Sequence, residues 1–299
     1  MPTTKHLQKF CDQHHIPFET YLKSYTRVYK ILCEKIYTAF NDHKNAPFII
    51  GLNGAQGSGK STLVHLISDV LDIDYGLKTA FLSIDDFYKT QKERQKMARE
   101  THSLFATRGV PGTHDIDLGL QTIQNLKKAH NKIITVLPRF NKARDDRVPE
   151  NEWPTFIGKP DIILFEGWCV GSQPQEDHLL TQPVNNLETE KDPDTKWRST
   201  VNNQLKGLYA KLFNNLDFLI LLNAPNFECA FKWRQEQEHK LIQKLHHKNQ
   251  DISQTMDDTT LSHFMMFYER LTRHNLETLP ARANIIINLN KNRHPSFDI

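Results

Sequence analysis

Eight consecutive residues, Gly54-Ala55-Gln56-Gly57-Ser58-Gly59-Lys60-Ser61, constrain this chain more than any other stretch. They satisfy the pattern Gly-x-x-x-x-Gly-Lys-Ser/Thr, in which backbone N–H groups wrap a chain of phosphates. The context fits on both sides. Phe48-Ile49-Ile50-Gly51-Leu52-Asn53 is a short run rich in β-branched and aromatic residues, the composition of a buried strand. After the pattern, Leu63, Leu66, Ile67, Val70 and Leu71 recur at helical spacing and place one apolar stripe on a helix that starts near Lys60. Glycines at 54, 57 and 59 can take positive φ and keep a Cβ away from a ligand. The helix start adds unpaired N–H groups and the positive end of its dipole. Gly54, Ala55, Gln56, Gly57, Ser58, Gly59, Lys60, Ser61 and Thr62 are therefore the expected nucleotide-phosphate contacts. Lys60 reaches toward the β- and γ-phosphates, and the Ser61 hydroxyl toward Mg²⁺.

Four further apolar runs supply the remaining strands: Thr79 to Ile84, Asp161 to Phe165, Asp217 to Leu222 and Ala283 to Leu289. Ile133 to Leu137 is a shorter run of the same kind. Helical patterns separate them. Ile116, Leu120 and Ile123 follow a capping Asp115; Phe227 to His247 is strongly charged; residues 261–279 turn Leu261, Phe264, Met265, Tyr268, Leu271 and Leu276 inward. Lys89 to Glu100 reads as a charged, mobile helix, and Ser172 to Lys196 as an irregular polar excursion. Strands alternating with helices predict an α/β fold, a doubly wound, mainly parallel five-stranded sheet with helices on both faces. Right-handed crossovers bring the C-terminal strand ends to one rim. The phosphate loop, the Asp85-Asp86 pair after the second strand and Glu166 at the end of the third then meet where open parallel sheets bind ligands. Residues 1–46, with an apolar stripe from Tyr25 to Phe40, predict an N-terminal helical extension that packs on the sheet and takes no part in chemistry; residues 47–299 form the phosphate-loop domain.

Bulk properties narrow the class. In 299 residues, 38 basic and 35 acidic side chains leave a net charge of +3, which gives no global argument for nucleic acid. No stretch approaches the roughly 20 apolar residues of a membrane span, and Met1 to His6 leads into no apolar secretion segment, so no membrane partner and a cytoplasmic location are expected. Cys11, Cys33, Cys169 and Cys229 lie far apart without a Cys-x-x-Cys, which predicts neither a zinc site nor a disulfide framework. The histidine pairs His14-His15 and His246-His247 are chain neighbours that cannot face one site on a helix, and Met265-Met266 is core filler. One cluster stays open on residues alone. Arg139, Lys142, Arg144 and Arg147 fit either a solvated surface or a pocket whose Arg forks grip a carboxylate or phosphate.

Taken together, Gly54 to Ser61, Ser83-Ile84-Asp85-Asp86-Phe87-Tyr88, Arg108-Gly109 with Gly112-Thr113-His114-Asp115, Pro138-Arg139-Phe140-Asn141-Lys142 and Phe165-Glu166-Gly167-Trp168 resemble the plant- and fungal-type D-glycerate 3-kinase group. Asn186-Leu187-Glu188, Trp197-Arg198 and Trp233-Arg234 with Glu238 are similar to its later motifs. That group belongs with the phosphoribulokinase, uridine kinase and pantothenate kinase branch of phosphate-loop kinases, and the similarity runs from about Phe48 to the C-terminus. The resemblance implies ATP and Mg²⁺ on the phosphate loop and a small hydroxyl acceptor, glycerate foremost, attacking the γ-phosphorus in line. It implies Asp85 as the aspartate that accepts or orients the hydroxyl proton, and Ser61, Asp85 and Glu166 as the metal shell. A mobile helical lid at about 226–250 would carry Arg234, whose charge neutralises the moving phosphoryl group. Asp86, Tyr88, Arg108, His114, Arg139, Lys142 and Arg147 are the acceptor-side candidates; Asp86 could equally shape its turn. Asn288 to His294, after the last strand, is the expected adenine-contacting loop.

Rival readings remain distinct. A kinase for another small alcohol or sugar acid would share every motif above. A non-catalytic ATP-binding protein has no need of intact Lys60, Ser61, Asp85 and Glu166. A GTPase is disfavoured, because Asn290-Lys291-Asn292-Arg293 has arginine where guanine reading needs aspartate. The Arg139–Arg147 run is too short to argue for nucleic acid.

Overall fold

A run such as Phe48 to Leu52, apolar on both faces, is stable only where both faces are covered. In the computed structural model, which describes residues 4–14, 16–43, 46–247 and 255–297, this run is the fully buried strand β1 (Phe48–Gly54). Ahead of it lie helices α1 (Thr4–His14), α2 (Phe18–Ser24) and, after a π turn at Tyr25–Tyr29, α3 (Lys30–Asp42). After it come α4 (Lys60–Tyr75), β2 (Thr79–Ser83), α5 (Gln91–Glu100) and α6 (Ile116–Lys128). Four short strands follow, β3 (Ile134–Val136), β4 (Phe140–Asn141), β5 (Asp146–Arg147) and β6 (Thr155–Ile157), then β7 (Ile162–Gly167). The chain continues through α7 (Asn186–Lys191), α8 (Lys196–Gln204), α9 (Ala210–Phe213), β8 (Phe218–Asn223), α10 (Phe227–His247), α11 (Asp258–Thr278), β9 (Ile285–Leu289) and β10 (Pro295–Ser296).

The central sheet runs β10-β9-β8-β1-β7-β2. Five of its strands are parallel, as expected. The sixth, β10, is antiparallel to β9 and too short for an apolar run to reveal it. It forms because the chain turns back at Asn290, whose N–H donates to the His294 carbonyl at 3.1 Å, with Arg293 left-handed at φ 62°. The Ile133–Leu137 run lies outside this sheet. Its core, β3, pairs only with β6 in a separate ribbon whose Ile134, Val136 and Ile157 face outward.

Alternation along the strands divides the core between two faces. Ile50, Leu52, Ile162 and Leu164 pack on one side with Val64 and Ile67 of α4 and with Leu7, Phe10, Leu32 and Ile36 of the N-terminal helices. Ile49, Ile163 and Phe165 pack on the other with Ile116, Ile123, Trp197 and Leu271. Burying one Leu or Ile contributes roughly 1.5–3 kcal/mol, so the N-terminal helices are held by core contacts of their own.

Two loosely read segments are well anchored. Arg94 in the expected mobile helix is fully buried; it donates to the carbonyls of Lys89, Ala106 and Asp145 and pairs with the Asp145 carboxylate at 2.8 Å. The 172–196 excursion is tied down by buried ion pairs, Glu188 with Arg270 at 2.6 Å and Asp192 with Arg198 at 3.2 Å. The Asn186–Glu188 and Trp197-Arg198 motifs therefore serve the fold. Among the described residues no helix is long and apolar enough to cross a membrane.

Candidate active site

The register carries the site. Leu52 of β1 and Ser83 of β2 both lie opposite Glu166 of β7, so three strands end at one level. From β1 the chain enters the phosphate loop and then α4. Gly59 is left-handed at φ 93° with open space where a Cβ would stand, which leaves room for a ligand. Gly57, at φ 75°, lies so close under the lid that a Cβ would come within 2.7 Å of Trp233. The Lys60 ammonium donates to the Ala55 carbonyl at 3.0 Å; burial pushes its pKa down, opposed by the charges of Glu166 and Asp85. Both amide atoms of Gln56 and the Ser58 hydroxyl are buried with no partner among the described residues. Orphaned polar atoms around a helix N-terminus are what a bound anion would satisfy.

The acids follow from the neighbouring strand ends. Beyond β2 the chain enters a 3-10 turn, Ile84–Phe87, that carries Asp85 and Asp86. The Asp85 carboxylate accepts from the Lys142 ammonium at 2.6 Å. Burial pushes the Asp85 pKa upward, but the charge and hydrogen bond of Lys142, with the charge of Lys60, outweigh it and hold the group at about 2. Glu166, raised by burial, accepts from Ser61 at 3.2 Å and Ser83 at 3.0 Å. These are hard oxygen donors of the kind Mg²⁺ takes. Lys60, Asp85, Arg108, Lys142, Glu166 and Arg234 line one cavity of about 120 Å³, together with Gln56 and Tyr88. Arg234 enters it from α10 and pairs with Glu238 at 2.7 Å; Glu238 also accepts from the Met256 backbone at 2.8 Å. Residues 248–250 of the expected lid lie outside the described residues.

Four acceptor-side candidates are not brought into this cavity. Asp86 turns away to Arg139 at 2.9 Å and the Phe140 N–H at 3.1 Å, so this pair fastens β4 to the turn. Burial raises the Asp86 pKa to about 6 despite Arg139. Arg147 donates to the Tyr88 carbonyl at 3.0 Å and to Asp115, the cap of α6, at 3.2 Å. His114 stacks on Tyr88 with ring centres 4.3 Å apart and bonds the Tyr209 hydroxyl; burial lowers its pKa to about 3, which keeps the imidazole neutral. It supports the wall from behind.

The apolar side of the cavity comes from Trp168, Met256, Phe264 and Tyr268. Phe264 and Tyr268 read only as a core stripe, because period alone cannot say which buried side chain borders a cavity. A second cavity, of about 410 Å³, opens on the other flank of the phosphate loop. Gly57, Ser58, Gly59 and Thr62 line it, and so do Asn292 to Pro295, part of the expected adenine loop. Its far wall belongs to α1 and α2, helices that the sequence suggested only pack on the sheet.

The comparisons with known proteins agree with this geometry. The phosphoribulokinase / uridine kinase family profile matches residues 49–173. A Saccharomyces cerevisiae protein described as a probable ATP-dependent kinase is 31% identical over 69% of this chain and 72% of its own length. A chloroplastic D-glycerate 3-kinase of Arabidopsis thaliana is 28% identical over 79% of this chain, which spans about half (49%) of that relative. The fold matches the solved structure of a D-glycerate 3-kinase from Cryptococcus neoformans with a TM-score of 0.72 at 22% identity, over 89% of this chain and 97% of that one. This chain belongs to the phosphoribulokinase / uridine kinase family of phosphate-loop kinases, in the group that includes the D-glycerate 3-kinases, and is an ATP-dependent small-molecule kinase.

Proposed function

We propose that this kinase transfers the γ-phosphoryl group of ATP to a hydroxyl of a small hydroxy acid of the glycerate type, with Mg²⁺. The observation that carries the reading is the Asp85–Lys142 contact at 2.6 Å inside a cavity of only about 120 Å³ that Lys60 and Arg108 also line. A space that small suits a compact acceptor and disfavours a nucleoside or a pantothenate-like alcohol, since drug-sized ligands occupy roughly 300–1,000 Å³. Of the four cations on its wall, Lys60 and Arg234 face the phosphate loop and the lid, which leaves Lys142 and Arg108, the latter held by Asp145, to suit a carboxylate. Relatives named as D-glycerate 3-kinases support the same choice.

Ser61, Glu166 and Asp85 would hold Mg²⁺, which when bound neutralises charge on the β- and γ-oxygens. The chain's own groups do the rest. Lys60, seated at the loop, holds the terminal phosphate. Asp85 orients the acceptor hydroxyl and takes its proton as the bond to phosphorus forms. A carboxyl at about 2 is a weak base, and the geometry offers a remedy. Lys142 is what opposes burial; an acceptor carboxylate that draws Lys142 toward itself leaves burial less opposed and raises the basicity of Asp85 where the proton must go. Arg234 is the cation that can turn from Glu238 to the moving phosphoryl group. Trp233, anchored by its indole N–H to the Lys291 carbonyl at 2.8 Å, presses the lid on Gly57 and keeps water out.

The test is ADP release with ATP-Mg²⁺ across small alcohols, hydroxy acids and nucleosides. Turnover with glycerate and close hydroxy acids, and none with nucleosides, is expected. Turnover with nucleosides alone would overturn the acceptor class. Tight ATP binding without turnover on any compound would favour a non-catalytic ATP-binding protein.

A further inference from the structure

The 120 Å³ cavity has a polar side and an apolar side, and only the second leaves an acceptor room to lengthen. Gln56, Lys60 and Arg234 face the phosphate loop and the lid, while Asp85, Lys142 and Arg108 meet the hydroxyl and carboxylate of the proposed acceptor. The apolar side chains that complete the wall are Trp168, Met256, Phe264 and Tyr268. We infer that Phe264, with Met256, is the size gate of the acceptor site and confines the enzyme to hydroxy acids of glycerate length. The inference rests on the hydroxy-acid kinase reading and names the residues that set the acceptor's length.

Packing separates a fixed floor from a gate. Trp168 is buried; its indole N–H donates to the Gly109 carbonyl at 3.2 Å, and its ring meets Tyr268 edge-on with centres 4.8 Å apart. Tyr268, equally buried, is wedged against Gly109, where a Cβ would collide with the phenol oxygen. Both rings are committed to the loop that carries Arg108. Phe264 has no such duty. It lies one turn before Tyr268 on α11, with ring centres 5.0 Å apart, and is only half-buried. It packs on one side against the core that Ile49, Ile163 and Phe165 build, and on the other against Phe227, Leu261 and Met265, where α10 meets α11. A ring held from two sides cannot swing out of an acceptor's path. Met256 is tied by its N–H to Glu238 at 2.8 Å, so it adapts only through its unbranched side chain.

Two effects make this wall selective. The first is volume. An apolar space of about 150 Å³ is what a benzene ring occupies, so a cavity of about 120 Å³ that must also receive a phosphoryl group has no room for further carbons. The second is polarity. Each further carbon of a sugar acid brings a hydroxyl, and Phe264 and Met256 offer it no strong partner, so that hydroxyl loses water without compensation. Deleting the Phe264 ring relieves both, because the freed space opens at a half-buried position where water can follow.

The experiment uses the full chain with ATP-Mg²⁺ and two acceptors, glycerate and the longer sugar acid gluconate. It reads the ratio of their kcat/KM values, in which any general loss of folded enzyme cancels. Wild-type protein should favour glycerate by about 100-fold or more. Phe264→Ala should cut that preference by at least about ten-fold, the scale of relieving one misfit group in a pocket, chiefly through a lower KM for gluconate. Phe264→Leu, which keeps an apolar side chain against Leu261 and Met265, is the second variant and should fall between the two. Phe231→Ala is the control: Phe231 packs on the same cluster from α10 but lies outside the cavity lining, so its ratio should match wild type. A ratio unchanged in both Phe264 variants overturns the inference and leaves the kinase reading standing, as does wild-type protein that takes gluconate as readily as glycerate. An equal shift in Phe231→Ala assigns the effect to the α10–α11 cluster and overturns it too. Wild-type protein with turnover on neither acid removes the hydroxy-acid reading and this inference with it.

Discussion

Lys142→Met separates what the Asp85–Lys142 pair does for stability from what it does for chemistry. The Lys142 side chain is 61% exposed and that of Asp85 27%, so solvent screens the pair despite its 2.6 Å contact. Exposed pairs contribute about 1 kcal/mol or less, which for a chain of this size corresponds to a Tm loss of about 2–4 °C. The catalytic effect should be far larger. If Lys142 grips the acceptor carboxylate, its removal costs the roughly 1.5–3 kcal/mol of a charged hydrogen bond, which raises the acceptor KM about 10- to 100-fold while the KM for ATP stays near wild type. The pH profile should move too, and its sign follows from the same contact. Asp85 works ionised, and at about 2 it stays ionised throughout the workable acid range. Without Lys142, burial, the largest influence and an upward one, is opposed chiefly by Lys60, because His114 at about 3 is neutral. The Asp85 pKa then moves up from about 2, and the acid limb of kcat/KM moves to higher pH with it. Steady-state kinetics at several pH values, with thermal melts of the same samples, read all three quantities. An unchanged acceptor KM together with an unmoved acid limb would refute the reasoning.

Asp85→Asn should spare ATP binding and slow transfer by about 10²–10⁴, the range of lost acid–base catalysis, as read by single-turnover ADP formation. Asp86→Ala should do the reverse, losing about 1–3 kcal/mol of stability in urea unfolding, because its bonds to Arg139 and Phe140 fasten β4, with kcat changing only a few-fold; a collapse of kcat there would exchange the roles of the two acids. Gly57→Ala combines φ 75° with a Cβ 2.7 Å from Trp233, so the lid cannot seat, and kcat/KM for ATP should fall at least about ten-fold; a wild-type value would mean that the lid contact has no functional weight. Lys60→Ala should lower kcat by about 10²–10³, the scale of removing one preorganised charge donor.

How far the residues foretell the site depends on whether a side chain's role follows from its own segment. Lys60, Asp85 and Glu166 were legible because each stands at the end of a readable apolar run, and a parallel sheet sends all such ends to one rim. The basic stretch was not. Lys142 enters the cavity while Arg139 and Arg147, a few residues away and alike in charge, brace Asp86, Tyr88 and Asp115. Composition cannot separate them, because the partner of each lies elsewhere in the chain. Arg94 shows the same limit from the other side. Its helix is polar at nearly every position, yet the arginine is fully buried and satisfied by carbonyls from three other segments. The N-terminal helices exposed a subtler gap. The stripe from Tyr25 to Phe40 foretold the burial of Leu32 and Ile36, but period says nothing about the cavity that Thr20, Tyr21, Ser24 and, from the stripe itself, Tyr29 border.

The sheet order also gives the transfer a direction. β1 stands between β7 and β8, with β2 beyond the first and β9 beyond the second. The acids come from the β7–β2 side, as Glu166 and Asp85, and the small cavity opens there. Leu222 of β8 and Pro295 of β10 border the large cavity on the opposite side. The loop after β1 touches both, through Gln56 and Lys60 on one flank and Gly57, Ser58 and Gly59 on the other, and α10 covers both from above, through Arg234 on the first and Gln237 and Lys240 on the second. On the proposed reading, a phosphate chain laid along that loop would present its terminal phosphorus on the Asp85 side, so the pairing of β1 with β7 and β8 would set which end of the nucleotide reacts.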